Sequence, residues 1–195
     1  MIVNIYERKS YELHKYQNPT WYESAGFNPS VFTSEGYFVL EPDISLEFQN
    51  PGIAAVDCVI SAVKKVVESG IVDKKRIGLM GHSFGGYESS FIITQTDLFA
   101  AAIASGAITD LVSFYYTINK GNGRPDMWRF HNEEWNMGGT PYETPKAYYD
   151  NSPINFVQNV QTPVLLWSGK NDYQVDTHQS MEFYLALRRA GKKSM

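Results

Sequence analysis

The order of apolar segments along the chain is the feature that most constrains its fold. Short apolar runs at residues 2–6, 36–40, 76–80, 99–104 and 164–168 are separated by stretches with helical spacing or irregular sequence. Such runs of aliphatic and β-branched residues are typical of buried strands, and their alternation with helices is typical of a parallel sheet covered on both faces. The sequence therefore predicts an α/β fold with a mostly parallel sheet.

Helices are predicted between these strands from the spacing of apolar residues and from terminal signals. The clearest covers residues 51–70, where Asn50 is expected to cap the first turn. A second follows the glycines near residue 86 and runs to about residue 94, and a third runs to residue 191 with Thr177 as its predicted cap.

Composition excludes several classes of function. The chain has 195 residues, of which 43% are hydrophobic, and this is typical of one globular domain. Its 17 basic and 21 acidic residues give a net charge of -4, which argues against nucleic acid as a partner. No apolar run reaches the roughly 18 residues of a membrane helix. The scattered histidines and single Cys58 predict neither a metal site nor a cofactor.

The sequence Gly-His-Ser-Phe-Gly at residues 81–85 lies between a predicted strand and a predicted helix. Glycines at both ends permit a cramped turn that holds the Ser83 hydroxyl above the sheet. The helix N-terminus and the Phe84 amide then face an oxygen that becomes negative during acyl transfer. This pattern predicts Ser83 as a nucleophile and Phe84 as an oxyanion donor. The alternative is a packing turn with an incidental serine.

Asp172 is the predicted acid of the same site, because it follows the strand at 164–168 in a loop at the carboxyl end of the sheet. Hydrolases built on this turn place the nucleophile, the acid and the histidine in that order along the chain. The carboxylate would hold an imidazole in the required tautomer. Asp176 is an alternative acid, and either side chain could instead cap the next helix.

The general base is not assigned by the residues themselves. Only His178 follows the predicted acid, and it is expected on the first turn of a helix, where a surface or capping histidine is commoner. His82 lies inside the turn and is poorly aimed at its neighbour's hydroxyl. His14 and His131 lie upstream in irregular sequence.

Residues 81–87, together with 162–166 and 172–175, resemble the prolyl oligopeptidase family, nearest to its dipeptidyl-peptidase and acylaminoacyl-peptidase branches. The resemblance implies an α/β-hydrolase catalytic domain of a serine peptidase that acts on short peptides and usually follows a β-propeller, which this sequence lacks. It also implies a catalytic histidine a few tens of residues after the acid, beyond one more strand. We therefore expect residues 1–195 to be one partial domain, cut at both ends, with the histidine beyond Met195.

Members of this family also use a tyrosine hydroxyl after an early strand as the second oxyanion donor, and Tyr6 matches that place. The family commonly continues with glycines and proline, whereas this sequence has Glu-Arg-Lys at residues 7–9. Core packing is the alternative role for Tyr6.

Substrate specificity is expected from the aromatic segment at about residues 107–162, which is predicted to form a lid or pocket wall. An apolar slot with few polar groups suits a proline or small apolar side chain before the scissile bond. Tyr115, Tyr116 and Trp128 are the predicted substrate-binding residues, with ordinary packing as their alternative role.

The predicted function is hydrolysis of short peptides by a serine peptidase, with an inactive isolated chain because the base is missing. One alternative is an esterase or lipase-like enzyme on the same fold, since the turn at Ser83 does not choose between ester and amide. Another is a non-catalytic binding domain. An uncovered sheet edge would favour self-association, so a homo-oligomer is a further expectation.

Overall fold

The computed structural model describes residues 1–21, 27–132 and 135–195. Within these residues the strands are β1 (Ile2–Ile5), β2 (Val39–Leu40), β3 (Gly78–His82), β4 (Ala101–Ser105) and β5 (Val164–Trp167). They form one sheet in the order β2-β1-β3-β4-β5, and every neighbouring pair is parallel. The α/β sheet predicted from the order of apolar segments is confirmed.

The helices of the described segments connect these strands. They are α1 (Pro29–Ser34), α2 (Pro51–Glu68), α3 (Phe84–Gln95), α4 (Leu111–Tyr115), α5 (Trp128–Asn132), α6 (Pro145–Asn151) and α7 (His178–Arg189), with 3-10 helices at Ser10–Glu12 and Pro153–Asn159. None of the helices that the structure describes is long and apolar enough to cross a membrane.

The two predicted helix caps lie at the right positions but make no side-chain capping bond. In α2 the amide of Gly52 donates instead to Asn151 Oδ1 at 2.9 Å, so a distant helix satisfies this first-turn donor. Ahead of α7 the amide of His178 donates to Asp176 Oδ1 at 2.9 Å, in place of the predicted Thr177 side chain. Asp176 therefore caps the amino-terminal end of α7.

Helix α3 is the centre of the core, because every residue from Phe84 to Thr94 is buried. It packs on β1, β3, β4 and α2. A helix that is enclosed on all sides has no polar face, which is why its sequence lacks amphipathic spacing.

The aromatic segment predicted as a lid or pocket wall contributes directly to this core. Phe114, Phe130, Trp135 and Tyr148 are each 2% exposed or less. The ring centroid of Phe130 lies 5.3 Å from that of Trp135 and 5.4 Å from that of Tyr148, with both pairs stacked. Burying each such ring stabilises the fold by roughly 1.5–3 kcal/mol.

The last residues of the chain extend the sheet beside β5. Ser194 forms a parallel bridge with Val164. The amide of Leu166 donates to the Met195 carbonyl at 2.8 Å, and the Met195 amide donates to the Val164 carbonyl at 3.1 Å. The edge of β5 is therefore partly paired.

Candidate active site

Ser83 occupies a sharp turn between β3 and α3, with φ 57 and ψ -119. This backbone conformation is unfavourable for a residue with a side chain, by about 1–3 kcal/mol, and persists only where neighbours enforce it. The Ser83 amide donates to the Ser105 carbonyl at 2.8 Å, and the Ser83 carbonyl accepts from the Tyr87 amide at 3.0 Å. These bonds to β4 and α3 hold a half-buried serine at the carboxyl end of the sheet.

Two glycines of the motif allow this turn to be so tight. A Cβ atom on Gly81 would lie 2.2 Å from the Gly85 carbonyl oxygen, and one on Gly85 would lie 2.2 Å from the Ile5 carbonyl oxygen. Both distances are far inside van der Waals contact. The two glycines are therefore required for α3 to approach β3 and β1.

Asp172 lies in the loop between β5 and α7. Its Oδ1 accepts hydrogen bonds from the amides of Gln174 at 2.9 Å and Val175 at 3.1 Å. Its Oδ2 lies towards the end of β4, 3.8 Å from where a Cβ on Gly106 would be. The two amides therefore fix the carboxylate in one orientation.

Ser83 and Asp172 border the same cavity, which has a volume of about 340 Å³. His82, Gly106 and Gln174 are among its other lining residues. A nucleophile and an acid that act on one histidine must share such a space, with the imidazole between them. The cavity is large enough for an imidazole ring, and the catalytic roles of Ser83 and Asp172 stay predictions.

Among the described residues, His82 is the histidine that borders this cavity. Its Nδ1 lies 3.0 Å from the Ser105 hydroxyl oxygen, within hydrogen-bond distance. The side chain of His178 is 69% exposed and lies beside a glutamate of its own helix. His131 pairs with the Tyr115 hydroxyl at 3.1 Å. His178 and His131 do not line the cavities that contain the serine.

Both predicted oxyanion donors border a cavity that Ser83 also borders. The Phe84 amide is in the first turn of α3, where helix amides lack intrahelical partners. Tyr6 directly follows β1, is 36% exposed and lines two cavities together with Ser83. Its ring meets that of Phe84 edge to face, with centroids 6.5 Å apart. Tyr6 is therefore not enclosed in the core.

A small cavity of about 60 Å³ opens beside Ser83. Its apolar lining consists of buried side chains from four parts of the chain: Phe84, Ile108, Phe114, Trp135 and Val175. The volume is about four times the space that one water molecule needs. Ile108, Phe114 and Trp135 lie in the segment predicted as a lid or pocket wall, but sequence reasoning did not choose them as substrate-binding residues. It missed Val175, which stands within the motif that contains Asp172.

Tyr115, Tyr116 and Trp128 do not line the cavities that Ser83 borders. Tyr115 is buried, at 4% exposed, and packs among other aromatic rings. Tyr116 is paired with Tyr142, whose hydrogen bond raises the pKa of Tyr116 to about 12. The Trp128 ring lies under a guanidinium group at 5.0 Å. Helix α4 therefore presents Phe114 to the serine, and the predicted roles of these three residues stay untested.

Arg129 is the cationic residue in the lining of the small cavity. Its Nε donates to Asp126 Oδ1 at 3.1 Å, and the Thr117 hydroxyl donates to Asp126 Oδ2 at 2.9 Å. Asp126 is fully buried, and this burial raises the pKa of its carboxyl group. The buried carboxylate thus orients a guanidinium that can bind a carbonyl or carboxylate oxygen.

A larger cavity, of about 510 Å³, adjoins Ser83 on the β1 side. Lys9 lies in its lining, 3.6 Å from Glu12 and 3.7 Å from Glu41. Asn4 donates to Glu41 at 2.7 Å. This cavity has room for several residues of an extended ligand.

The sequence profile of the prolyl oligopeptidase family matches residues 47–195. An uncharacterized peptidase of Bacillus subtilis, YuxL, is 30% identical over 139 residues, which cover 71% of this chain and 20% of the relative. The acylamino-acid-releasing enzyme of Rattus norvegicus is 32% identical over 150 residues, which cover 71% of this chain and 19% of that enzyme. The chain therefore spans about a fifth of the length of these relatives.

Solved structures resemble the chain over almost its whole length. A puromycin-hydrolyzing peptidase of Mycobacterium tuberculosis has a TM-score of 0.77 and 27% identity, covering 100% of this chain and 29% of its own. The acylaminoacyl peptidase of Pyrococcus horikoshii has a TM-score of 0.73 and 24% identity, covering 99% and 31%. Both have the parallel sheet and surrounding helices described above.

Proposed function

Since this chain belongs to the prolyl oligopeptidase family, we propose that it is catalytic sequence of a serine peptidase that hydrolyses peptide bonds of short peptides. The observation that carries the proposal is the cavity of about 340 Å³ that Ser83 and Asp172 border together. The strained turn at Ser83 supports it, because such strain clusters at functional sites. Similarity to several proteins named as peptidases favours amide over ester substrates.

In the proposed reaction, the Ser83 hydroxyl oxygen forms a bond to the peptide carbonyl carbon while its proton passes to a histidine. Asp172 orients that imidazole and stabilises its charged form. The carbonyl oxygen becomes an oxyanion that accepts hydrogen bonds from the Phe84 amide and the Tyr6 hydroxyl. The carbon–nitrogen bond then breaks as the imidazolium protonates the leaving amine. In the second half of the reaction, water attacks the acyl carbon and gives a proton to the histidine. The bond to the Ser83 oxygen then breaks, the imidazolium returns a proton to that oxygen, and the carboxylic acid product is released.

The side chain before the scissile bond would occupy the cavity of about 60 Å³. Its small volume favours small residues such as alanine or proline over large ones. Arg129 and Gln174 also line it and can donate hydrogen bonds to the backbone carbonyls of the peptide. The larger cavity of about 510 Å³ offers room for the rest of the substrate.

The base in this proposal is a histidine outside these 195 residues. Support comes from the histidines themselves, since three of the four lie away from the cavities at Ser83. The fourth, His82, is the neighbour of the nucleophile, and its Nδ1 is engaged with Ser105.

This function can be tested by assaying the full-length gene product for hydrolysis of alanyl and prolyl p-nitroanilides and for labelling by a fluorophosphonate probe. We expect amide hydrolysis and labelling of Ser83, with both abolished in Ser83→Ala and retained in the control Ser34→Ala on α1. Loss of triad members in serine peptidases lowers kcat by about 10⁴-fold or more. Hydrolysis of p-nitrophenyl esters without any amide hydrolysis would favour an esterase. Absence of both turnover and labelling would favour a non-catalytic domain.

The position of the base has its own test. We expect the isolated 195-residue chain to keep only a residual rate, about 10³- to 10⁴-fold above the uncatalysed reaction. His82→Ala and His178→Ala should leave turnover of the gene product within a few-fold of wild type. Full turnover by the isolated chain, lost on either substitution, would assign the base to a histidine of these residues.

A further inference from the structure

Helix α3 carries a buried carboxyl group that the proposed reaction does not use. Glu88 is 0% exposed and begins the second turn of the helix headed by Ser83. Neither of its oxygens makes a hydrogen bond of normal length and angle with the described residues. An ionised carboxylate in such surroundings is strongly disfavoured. Burial and the nearby Glu7 carboxylate raise the pKa of Glu88 well above its ordinary value, so that the neutral acid prevails.

The Glu88 side chain lies beneath the turn that follows β1. Gly85, three residues earlier on the same helix face, abuts this region: its Cβ would lie 2.2 Å from the Ile5 carbonyl oxygen and 3.4 Å from the Tyr6 ring. Side chains on a helix lean towards its N-terminus, so Glu88 is directed at the same part of β1. The backbone amide of Glu7 is close enough to favour the charged form of the carboxyl group, against the larger effects of burial and charge.

The turn itself is strained and is held from its outer side. Glu7 has φ 41, a left-handed conformation that is unfavourable for a residue with a side chain. Its carbonyl accepts from the Ile44 amide at 2.8 Å. Just after it, the amides of Lys9 and Ser10 donate to Asp43 Oδ1 at 2.6 and 2.7 Å. These contacts fix the outer face of the turn, and Glu88 occupies the inner face.

We propose that Glu88 is a positioning residue: as a neutral acid beneath the Tyr6–Glu7 turn, it holds the Tyr6 hydroxyl in the direction of the oxyanion. This inference rests on the proposed function. The titratable groups that interact with Glu88 in the described part of the chain are Glu7 on the turn and Tyr87 on the same helix. Ionisation of Glu88 would place a fully buried charge near the partly exposed Glu7 carboxylate and displace the turn. Oxyanion stabilisation should therefore fall at alkaline pH.

Two substitutions in the full-length gene product separate this role from simple packing. Glu88→Gln keeps a neutral polar group of the same shape, so kcat should stay within about threefold at pH 7 and the alkaline decline should disappear. Glu88→Leu removes the polar group, and kcat should fall towards the 10²- to 10³-fold loss seen when an oxyanion donor is removed, with little change in KM. Ser90→Ala is the matched control and should leave kcat unchanged, because Ser90 is another buried position on α3 whose hydroxyl has no hydrogen-bond partner among the described residues.

Combination with Tyr6→Phe tests whether Glu88 acts through the tyrosine. If it does, the double variant Tyr6→Phe with Glu88→Leu should be no slower than Tyr6→Phe alone. Multiplied losses in the double variant, or wild-type kcat in Glu88→Leu, would overturn the inference while leaving the proposed function intact. A crystal structure of Glu88→Leu gives a readout without turnover: Tyr6 should be displaced, and an unmoved Tyr6 would also refute the inference. Absence of amide hydrolysis by the wild type would instead refute the proposed function.

Discussion

Substitution of Gly85 by alanine should separate α3 from β1. The added Cβ would lie 2.2 Å from the Ile5 carbonyl oxygen, whereas carbon–oxygen contacts are normally about 3.3 Å, so the helix and strand must move apart by about 1 Å. Overpacking of this kind costs typically 1–3 kcal/mol. We expect the upper end, about 3 kcal/mol, because the obstacle is strand backbone and cannot rotate away. The melting temperature should fall by roughly 6–12 °C in a domain of this size.

Thermal and urea unfolding of the gene product measure this loss, and Gly78→Ala is the matched control. A Cβ on Gly78 would lie 3.8 Å from the Ala101 carbonyl oxygen, which is ordinary van der Waals contact. The control should change the unfolding free energy by less than about 0.5 kcal/mol. Fluorophosphonate labelling of Ser83 should also slow by about 10²-fold in Gly85→Ala, because the reacting groups shift by about 1 Å. If both glycine variants unfold alike, the close approach of α3 to β1 is refuted.

Three further outcomes follow from the site and its surroundings. Phe114→Leu should enlarge the small cavity and raise the kcat/KM ratio for phenylalanyl over alanyl amides by about tenfold, and an unchanged ratio would place that side chain elsewhere. Asp126→Ala should remove the buried acceptor of the Arg129 Nε and Thr117 hydroxyl hydrogen bonds and cost about 1–3 kcal/mol in urea unfolding, whereas an unchanged free energy of unfolding would contradict these contacts. Burial, followed by the charge of Asp110, raises the pKa of Glu182 to about 6 from 4.5, so its contribution to stability is full below pH 4.5 and is lost as the pH rises through 6. The melting temperature should therefore fall less between pH 4.5 and 7 in Glu182→Gln than in wild type.

The sheet, the turn at Ser83 and the loop of Asp172 were accessible from sequence because their signals are local. Two apolar runs and a glycine-flanked serine define the turn, and the carboxyl ends of parallel strands converge at one edge whatever the distance along the chain. The resemblance to the prolyl oligopeptidase family, drawn from the same motifs, is confirmed over residues 47–195.

The lining of the small cavity was not accessible in this way. Ile108, Phe114 and Val175 meet only after three separate connections fold together, and nothing local distinguishes Phe114 from the tyrosines that follow it. The same is true of Asn151, which satisfies the first turn of α2 from a distant helix. Glu88 was missed because the sequence of a fully enclosed helix does not separate a polar from an apolar face, so nothing in its spacing marks Glu88 as buried.

The left-handed backbone at Ser83 also limits which nucleophiles this scaffold can carry. Threonine has the same hydroxyl group, but its branched β-carbon is severely disfavoured at φ 57. Cysteine is unbranched at that carbon and meets no such obstacle. Evolution or engineering could therefore replace Ser83 by cysteine and convert the site to thiol chemistry with one substitution. Replacement by threonine would keep the hydroxyl group, but the backbone conformation excludes it.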